Sequence, residues 1–300
     1  MVSKNKLPVT VIILTFNEEN NIEDCLKSVK DFAEEIFVVD SYSTDKTLTK
    51  IEKYTENVFR HSFENYSKQR NWALQNLPVK TEWILNLDAD HRLTPKLKEE
   101  LENLFSNPVS NDVKGFMISR RLIFMGRWIK HGGLYPTYHA VLFRKGFAFC
   151  EDRLYDQHFV IQGKSQVLKN DIVDVLTDSL QRFVERHSRW AVAESIEQLS
   201  EYEKMIQLKA DILGNKMEQR RFMRERYGRL PIFCRSFAYF LYRYFIRLGF
   251  LDGIEGLIFH FLQGFWYRFL IDATIFEIKT KSKKENKSIE SVIDAYRKLI

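Results

Sequence analysis

The sequence predicts an α/β fold in which a mostly parallel sheet is flanked by helices and followed by a helical C-terminal region. In the first half, short apolar or β-branched runs alternate with segments of helical periodicity, as in chains built from βα units. Polar residues stand directly after several of these runs. With 300 residues, 45% of them hydrophobic, the chain is long enough for one large α/β domain and an appendage.

Four strands and four helices account for the first third of the chain. The predicted strands cover residues 9–15, 36–40, 57–62 and 83–87, and the helices cover residues 22–29, 48–54, 68–77 and 95–105. Thr94 before Pro95 is a typical helix N-cap. Residues 7–16 are apolar after two lysines, but the run is short and lacks a cleavage site. It therefore indicates a core strand rather than a signal peptide.

After residue 113 the sequence predicts strands first and helices later. Residues 114–149 are strand-like and contain a glycine-aromatic loop at 132–136, which fits either a mobile flap or a long hairpin connection. Residues 177–227 have helical periodicity with a break near Gly214. The three cysteines show no metal-ligand spacing, which indicates a reducing compartment without disulfides.

Residues 230–276 differ from the rest in composition, because fifteen of these 47 residues are aromatic. Helical spacing would place Arg235, Arg243 and Arg247 on one stripe, with aromatic residues on another face. No apolar run reaches the roughly 18–20 residues needed to cross a bilayer, so we expect the segment to lie in a membrane surface. A buried helical subdomain and an oligomer interface are the alternatives.

The net charge of +6 is concentrated between Lys216 and Arg247, where nine basic residues face two acidic ones. Such a local excess favours an anionic partner, either phospholipid or nucleic acid. A nucleic-acid reader would gain nothing from acids at strand ends, which repel phosphate. The charge pattern therefore favours lipid.

The most informative stretch is Trp83 to Asp90, in which an apolar strand ends in two carboxylates separated by one alanine. Ligands of parallel sheets bind beyond the carboxyl ends of the strands. Asn17, Glu18 and Asp40 also follow predicted strands. Carboxylate oxygens suit Mg²⁺ or Mn²⁺, so the sequence predicts a divalent-metal site at this edge.

Three ordered motifs resemble the family-2 glycosyltransferases of GT-A fold. They are the segments Val9 to Glu19, Val38 to Asp45 and Asp88 to Asp90. Within that family the chain is most similar to the lipopolysaccharide-core and polysaccharide subgroup, which also shows the segment Gln69 to Ala73 and a Gly-Gly-x-Tyr-Pro loop. The resemblance covers roughly residues 9–175.

The resemblance implies roles for individual residues. The donor nucleotide would contact Thr15, Phe16, Asn17, Glu18, Asp40, Lys68, Arg70 and Asp88. The metal would be held by Asp90, by Asp88 and, to complete the shell, by His158, with Asp174 as a further candidate. His91 stands where the subgroup often has an acid, and it could itself face the metal. The catalytic base would be Asp156, with Asp152 as the alternative.

These expectations divide the chain into a GT-A catalytic domain at 1–175, with a nucleotide-sugar half at about 1–92 and an acceptor half at about 93–175. A helical segment at 176–228, membrane-associating helices at 229–278 and a charged tail at 279–300 follow. The implied activity is inverting, metal-dependent transfer from a UDP-sugar or related donor to a lipid-linked saccharide at the cytoplasmic face of the membrane. The other readings are a nucleotidyltransferase, whose Gly-rich triphosphate loop has no counterpart at residues 15–19, and a non-catalytic membrane adaptor.

Overall fold

The computed structural model describes residues 6–176, 179–200 and 209–299. Its contacts divide the chain into two compact units. The first unit comprises residues up to Arg121 together with Pro136–Asp152 and Gln157–Val175. The second unit comprises Leu122–Tyr135, Arg153–Asp156 and the residues from Leu176 onward.

The first unit begins with alternating strands and helices, as predicted. They are β1 (Leu7–Thr15), α1 (Ile22–Val29), β2 (Ala33–Asp40), α2 (Thr47–Ile51), β3 (Val58–Arg60), α3 (Tyr66–Asn76) and β4 (Trp83–Asp88). Strand β1 pairs in parallel with β2 and β4, and β2 pairs in parallel with β3. Residues of β1 are buried on both faces, which explains why its sequence is continuously apolar rather than alternating.

The remaining strands complete the main sheet, except for two that form a separate sheet. They are β5 (His91–Leu93), β6 (Val113–Phe124), β7 (Arg127–Trp128), β8 (Thr137–Arg144), β9 (Ala148–Cys150), β10 (Phe159–Ile161) and β11 (Lys164–Val175). Strands β9 and β10 form the separate two-stranded antiparallel sheet. Helix α4 (Pro95–Phe105) follows β5, and its cap is the predicted one, because Thr94 Oγ1 accepts a hydrogen bond from the Leu97 N–H. Among the described residues the main sheet has the order β3-β2-β1-β4-β8-β6-β11-β5, with β7 paired to the end of β6. This mixed α/β sheet confirms the predicted fold class.

The second unit is mainly helical. Its helices are α5 (Leu180–Leu199), α6 (Lys216–Gly228), α7 (Cys234–Leu241), α8 (Gly253–Phe259), α9 (Tyr267–Glu285) and α10 (Ile289–Tyr296), with π-helical turns at Tyr242–Ile246 and His260–Trp266 and 3-10 turns at Gly249–Asp252 and Arg297–Leu299. The helix predicted at 177–227 is two helices, and residues 177, 178 and 201–208 lie outside the described part. No described helix has the length and hydropathy required to cross a membrane.

Buried ion pairs organise this helical unit. Glu194 of α5 accepts hydrogen bonds from Tyr267 Oη at 2.7 Å, Arg268 Nη1 at 2.9 Å and Arg224 Nη2 at 2.9 Å. Burial would raise the pKa of Glu194, but the two arginines outweigh burial and hold that pKa at about 2. The Glu194 carboxylate is therefore ionised and fully paired inside the unit.

The three arginines that helical spacing placed on one stripe do not share one environment. Arg235 and Arg243 are only 3% and 1% exposed. Arg235 Nε donates to Asp272 Oδ1 at 2.7 Å, whereas Arg243 lies against the rings of Tyr239 and Phe259. Arg235 and Arg243, which helical spacing placed together, are both buried by packing inside the helical unit. Of the three arginines, Arg247 alone is exposed.

Candidate functional site

Four titratable residues meet at the carboxyl end of β4. Asp88 is the last residue of β4, Asp90 lies in the turn that follows, and His91 is the first residue of β5. Strand β11 pairs with β5 in a register that sets Asp174 opposite His91. The Val175 N–H donates to the Asp90 carbonyl at 3.0 Å, which closes this turn. Sheet pairing thus adds a third aspartate, 84 positions away in sequence, to the predicted pair.

The ligand-type atoms of Asp88, Asp90 and His91 all lie within 4.8 Å of one another. His91 Nε2 is 3.7 Å from Asp88 Oδ2, 3.9 Å from Asp90 Oδ1 and 3.7 Å from Asp174 Oδ2. The other ring nitrogen, Nδ1, accepts the Asp88 N–H at 3.1 Å. A neutral ring that accepts at Nδ1 carries its proton on Nε2, so His91 presents an N–H to the carboxylates in this arrangement.

Asp88 and Asp90 differ in their neighbouring groups and therefore in the direction of their pKa shifts. Arg70 Nη2 donates to Asp88 Oδ1 at 2.6 Å, and although burial opposes it, this guanidinium holds the pKa of Asp88 below its usual range. Within the described part of the chain, Asp90 Oδ1 is buried without a hydrogen-bond partner. Burial, reinforced by the charges of Asp174 and Asp88, raises the pKa of Asp90 to about 7.

The donor set therefore fits a divalent cation at Asp90. Asp88 is ionised, and Asp90 Oδ1 accepts no hydrogen bond within the described chain, although His91 Nε2 lies 3.9 Å away. With Asp174 as a third acid, they form an oxygen-rich pocket that concentrates negative charge. Arg120 partly offsets it, with Nη1 at 3.3 Å from Asp174 Oδ2. Repulsion among these acids is relieved if a cation binds to them.

Arg70 is a buried partner of the β4 end. It is 1% exposed, and Nη2 also donates to the Leu87 carbonyl at 2.8 Å, while Nε donates to Tyr66 Oη at 3.1 Å. These bonds fix the direction of Asp88. Lys68, two residues earlier on α3, is exposed and pairs with Glu64. The contact of either residue with a diphosphate stays a prediction.

The residues predicted to line the nucleotide pocket are joined into one edge. Asn17 has a left-handed backbone, with φ of 52°, and its Oδ1 accepts the Thr44 N–H at 2.8 Å. The Asn17 N–H donates to Ser43 Oγ at 2.8 Å, and Ser43 Oγ in turn donates to Asp40 Oδ1 at 2.5 Å. The loops after β1 and β2 thus bond to each other through Ser43, a residue that the sequence analysis did not single out.

The other members of this edge differ in exposure. Phe16 is 56% exposed, whereas Thr15 and Asp40 are buried. The Glu18 N–H donates to Thr47 Oγ1 at 2.8 Å. An exposed aromatic ring beside a buried carboxylate, at the carboxyl ends of β1 and β2, can stack on a planar ring and bind hydroxyl groups.

A family model now decides the identity of the first unit. Residues 10–177 match the model described as glycosyl transferase family 2. The chain is a family-2 glycosyltransferase. The match covers more than half of the 300 residues, and it confirms the predicted family and the predicted enzyme class.

Individual relatives are similar over part of their length. The chain is 33% identical over 142 residues to an uncharacterized glycosyltransferase of Rickettsia bellii, covering 47% of each chain. It is 32% identical to the lipopolysaccharide core biosynthesis glycosyltransferase LpsC of Rhizobium meliloti over 40% of this chain and 45% of that one. The chain thus matches about half the length of these two curated relatives.

Among solved structures, the mannosyltransferase PcManGT of Pyrobaculum calidifontis, in complex with GDP-Man and Mn²⁺, aligns with a TM-score of 0.47 at 14% identity. The alignment covers 95% of this chain and 89% of that one.

The two candidate bases of the glycosyltransferase lie in different units. Asp152 is exposed and belongs to the first unit, which also holds the acid cluster. Asp156 belongs to the second unit, where its carboxylate pairs with Arg224 and its backbone has a φ of 57°. Glu151 between β9 and β10 is buried and accepts the His158 N–H at 3.0 Å.

His158 is outside the Asp88–Asp90–His91 cluster of the described residues. Its ring stacks on His139, with ring centroids 5.7 Å apart. His139 Nδ1 lies 2.7 Å from Arg120 Nη2, so Arg120 connects this histidine pair to Asp174. Arg120 lies on β6 and His139 on β8, and these two strands pair with each other. The sequence analysis missed both residues because neither stands at a predicted strand end.

The glycine loop after β7 is anchored within the second unit. The His131 N–H donates to Asp252 Oδ2 at 2.8 Å, and the Gly132 N–H donates to the Arg247 carbonyl at 2.9 Å. Gly132 has a φ of 75°, and a Cβ there would lie 2.1 Å from His260 Cε1. Only glycine fits this position without displacement of His260.

Proposed function

We propose that the protein transfers a sugar, with inversion, from a nucleotide-sugar donor to a lipid-linked saccharide in a reaction that requires a divalent metal. The observation that carries the proposal is the Asp90 carboxyl, whose buried Oδ1 has no hydrogen-bond partner among the described residues, beside ionised Asp88 in a family-2 glycosyltransferase. The family membership displaces the nucleotidyltransferase and adaptor readings.

Asp90 and Asp88 would hold the ion, with Asp174 adjacent. Bound Mn²⁺ or Mg²⁺ would offset the charge that develops on the departing nucleoside diphosphate. Arg70 keeps Asp88 ionised and correctly directed, while His91 and Arg120 position Asp174. These supporting contacts limit the reorganisation required when the donor binds.

The edge formed by the loops after β1 and β2 would bind the donor nucleotide. Phe16 offers an exposed ring for stacking. Asp40 is fully buried and accepts from Ser43 through both oxygens, and we propose that it contacts the base or ribose once the donor displaces part of that contact. We propose a UDP-sugar as the donor, as the resemblance implies.

The transfer itself is a single displacement. The acceptor hydroxyl oxygen bonds to the anomeric carbon as the bond from that carbon to the diphosphate breaks on the opposite side. A carboxylate accepts the hydroxyl proton and must lie within hydrogen-bond reach of it. We propose Asp156 for this role. Asp152 remains the alternative, because it is exposed, whereas the Asp156 carboxylate pairs with Arg224.

The similarity to the lipopolysaccharide core biosynthesis glycosyltransferase LpsC supports an acceptor of the lipopolysaccharide-core type. We further propose that this acceptor is carried by lipid at the cytoplasmic face of the membrane. This part of the proposal concerns the class of acceptor and leaves the linkage open.

Binding of metal and nucleotide to the full chain tests the proposal. Thermal shift and calorimetry with Mn²⁺ and Mg²⁺, each with UDP, GDP or dTDP, should show stabilisation that needs both partners, because ligands of the folded state stabilise it by mass action. Asp90→Ala should remove the metal-dependent shift and sugar transfer. The matched control, Asp112→Asn in the exposed turn before β6, should retain both. Absence of any metal-nucleotide binding by the unmodified protein would refute the proposal.

A further inference from the structure

The segment 230–276 carries an exposed apolar surface, here called the apolar face. Fourteen of its large hydrophobic side chains are at least 37% exposed, out of 25 such side chains in the described chain. The most exposed include Ile246 at 71%, Ile254 at 63%, Phe237 at 57% and Phe245 at 55%. A patch this concentrated is not typical of a surface that faces water, and it marks an interaction site.

The charged residues of the same segment lie inside. Arg235, Arg243, Asp252 and Asp272 are each at most 3% exposed, and Arg247 is the single charged residue of 230–276 in the exposed class. Asp272 accepts from Arg235 Nε at 2.7 Å, from Ser236 Oγ at 2.6 Å and from the Phe233 N–H at 2.7 Å. Asp272 and Arg235 are thus paired with each other, and Arg243 is buried against aromatic rings, while apolar groups face outward, which is the reverse of a water-facing surface.

Exposed basic residues flank the apolar face on both sides in sequence. Arg226 and Arg229 precede it, and Lys279, Lys281, Lys283 and Lys284 follow it. These flanks, the basic border, also hold the exposed acids Glu225 and Glu277 but keep an excess of basic residues. A second copy would carry the same excess, so charge complementarity favours an anionic partner over a copy of this chain. An anionic lipid surface complements both parts, because headgroups attract the basic border and the acyl boundary accepts the aromatic side chains.

We infer that the apolar face binds the surface of an anionic phospholipid membrane and lies within it without crossing. The described helices agree with this mode, since none is suited to span a bilayer. The inference stands on exposure and charge alone and does not use the proposed transfer reaction.

Membrane contact would also act on the glycine loop. The Arg247 carbonyl and the Asp252 carboxylate, both in the segment that carries the apolar face, bond to Gly132 and His131 of that loop. The loop is therefore attached to the membrane-binding segment, and its position follows that segment.

Vesicle flotation with the purified full chain tests the inference. The protein should float with vesicles of phosphatidylcholine and phosphatidylglycerol, and more weakly with phosphatidylcholine alone. Ile246→Glu and Phe245→Glu should each lower the partition coefficient about tenfold or more, because each replaces a side chain that leaves water on binding. The matched control is Met223→Glu on α6, since Met223 is 63% exposed but lies outside the apolar face.

Charge reversal separates the two components of binding. Lys283→Glu combined with Lys284→Glu should weaken flotation with anionic vesicles and leave the weaker binding to neutral vesicles unchanged. Circular dichroism and the melting temperature show that each variant is folded.

Three results would overturn the inference. One is that the unmodified protein does not float with anionic vesicles. Another is that Met223→Glu lowers partition as much as Ile246→Glu. The third is that light scattering shows a dimer that Ile246→Glu converts to a monomer, which would make the apolar face a subunit interface. Flotation needs no donor or acceptor, so these results are distinct from failure of the transfer assay.

Discussion

Asp90→Asn should stabilise the protein without metal and abolish its response to metal. Asp90 has an ordinary pKa of 3.8, and burial followed by the neighbouring acids raises it to about 7 in the folded chain. A folded-state pKa above the unfolded value means that the folded protein binds the proton more tightly. Stability is therefore greatest below about pH 4 for this group, and it is lost progressively as the pH rises to about 7.

The size of this effect follows from the shift. A difference of about three pKa units corresponds to roughly 4 kcal/mol of destabilisation above pH 7. Asparagine fills the same volume, carries no charge and can donate to Asp174 or Asp88. We expect the metal-free variant to melt several degrees above the unmodified protein at pH 8, and the difference to shrink toward pH 5.

Melting curves by circular dichroism in EDTA at both pH values measure this difference, and a second series with Mn²⁺ and UDP measures the response to ligand. The unmodified protein should gain stability from the ligands, and the variant should not. A variant that is less stable than the unmodified protein in EDTA at pH 8 would refute the electrostatic reasoning, and a variant that still responds to Mn²⁺ would refute the role of Asp90.

Three further variants address the remaining side chains. Glu194→Gln should destabilise the protein by about 3 kcal/mol at pH 7, since the carboxylate has a pKa of about 2 when folded. This contribution is present above about pH 4.5 and is lost as the pH falls toward 2, so urea titrations at pH 7 and pH 3 should show a smaller difference at the lower pH. Arg70→Lys should weaken Mn²⁺ binding, measured by calorimetry, about 10–100-fold, because lysine lacks the planar guanidinium that orients Asp88. Unchanged affinity would contradict that role of Arg70. Asp156→Asn should lower turnover by about 10²–10⁴-fold while nucleotide binding persists. Near-normal turnover in Asp156→Asn, with loss in Asp152→Asn, would move the base to Asp152.

The structure connects two regions that the sequence analysis treated separately within the second unit. The sequence analysis left the glycine loop open as either a flap or a hairpin connection, and in the structure its residues His131 and Gly132 are bonded to the segment 247–252. A π-helical turn at His260–Trp266 begins with the histidine that leaves no room for a Cβ at Gly132. The loop conformation therefore depends on helices more than a hundred residues later in the chain.

Local sequence pattern was sufficient for much of the catalytic unit. Continuous apolar runs, a cap at Thr94 and polar residues after each run predicted the parallel strands and the edge at which Asp40, Asp88 and Asp90 stand. Such features can be read from a short stretch of sequence. A strand buried on both faces is apolar along its whole length, and polar residues follow where the chain leaves the core.

Tertiary structure decided which charge meets which. Arg70 pairs with Asp88, whereas Asp90 Oδ1 has no hydrogen-bond partner among the described residues. The pairing of β11 with β5 places Asp174, which the resemblance had offered as a further metal ligand, opposite His91. Periodicity grouped Arg235 with Arg243 but could not tell whether that face meets solvent, and packing buried it. Sequence spacing specifies which side chains share a face, whereas the partner of that face comes from distant parts of the chain, and burial and pKa depend on that partner.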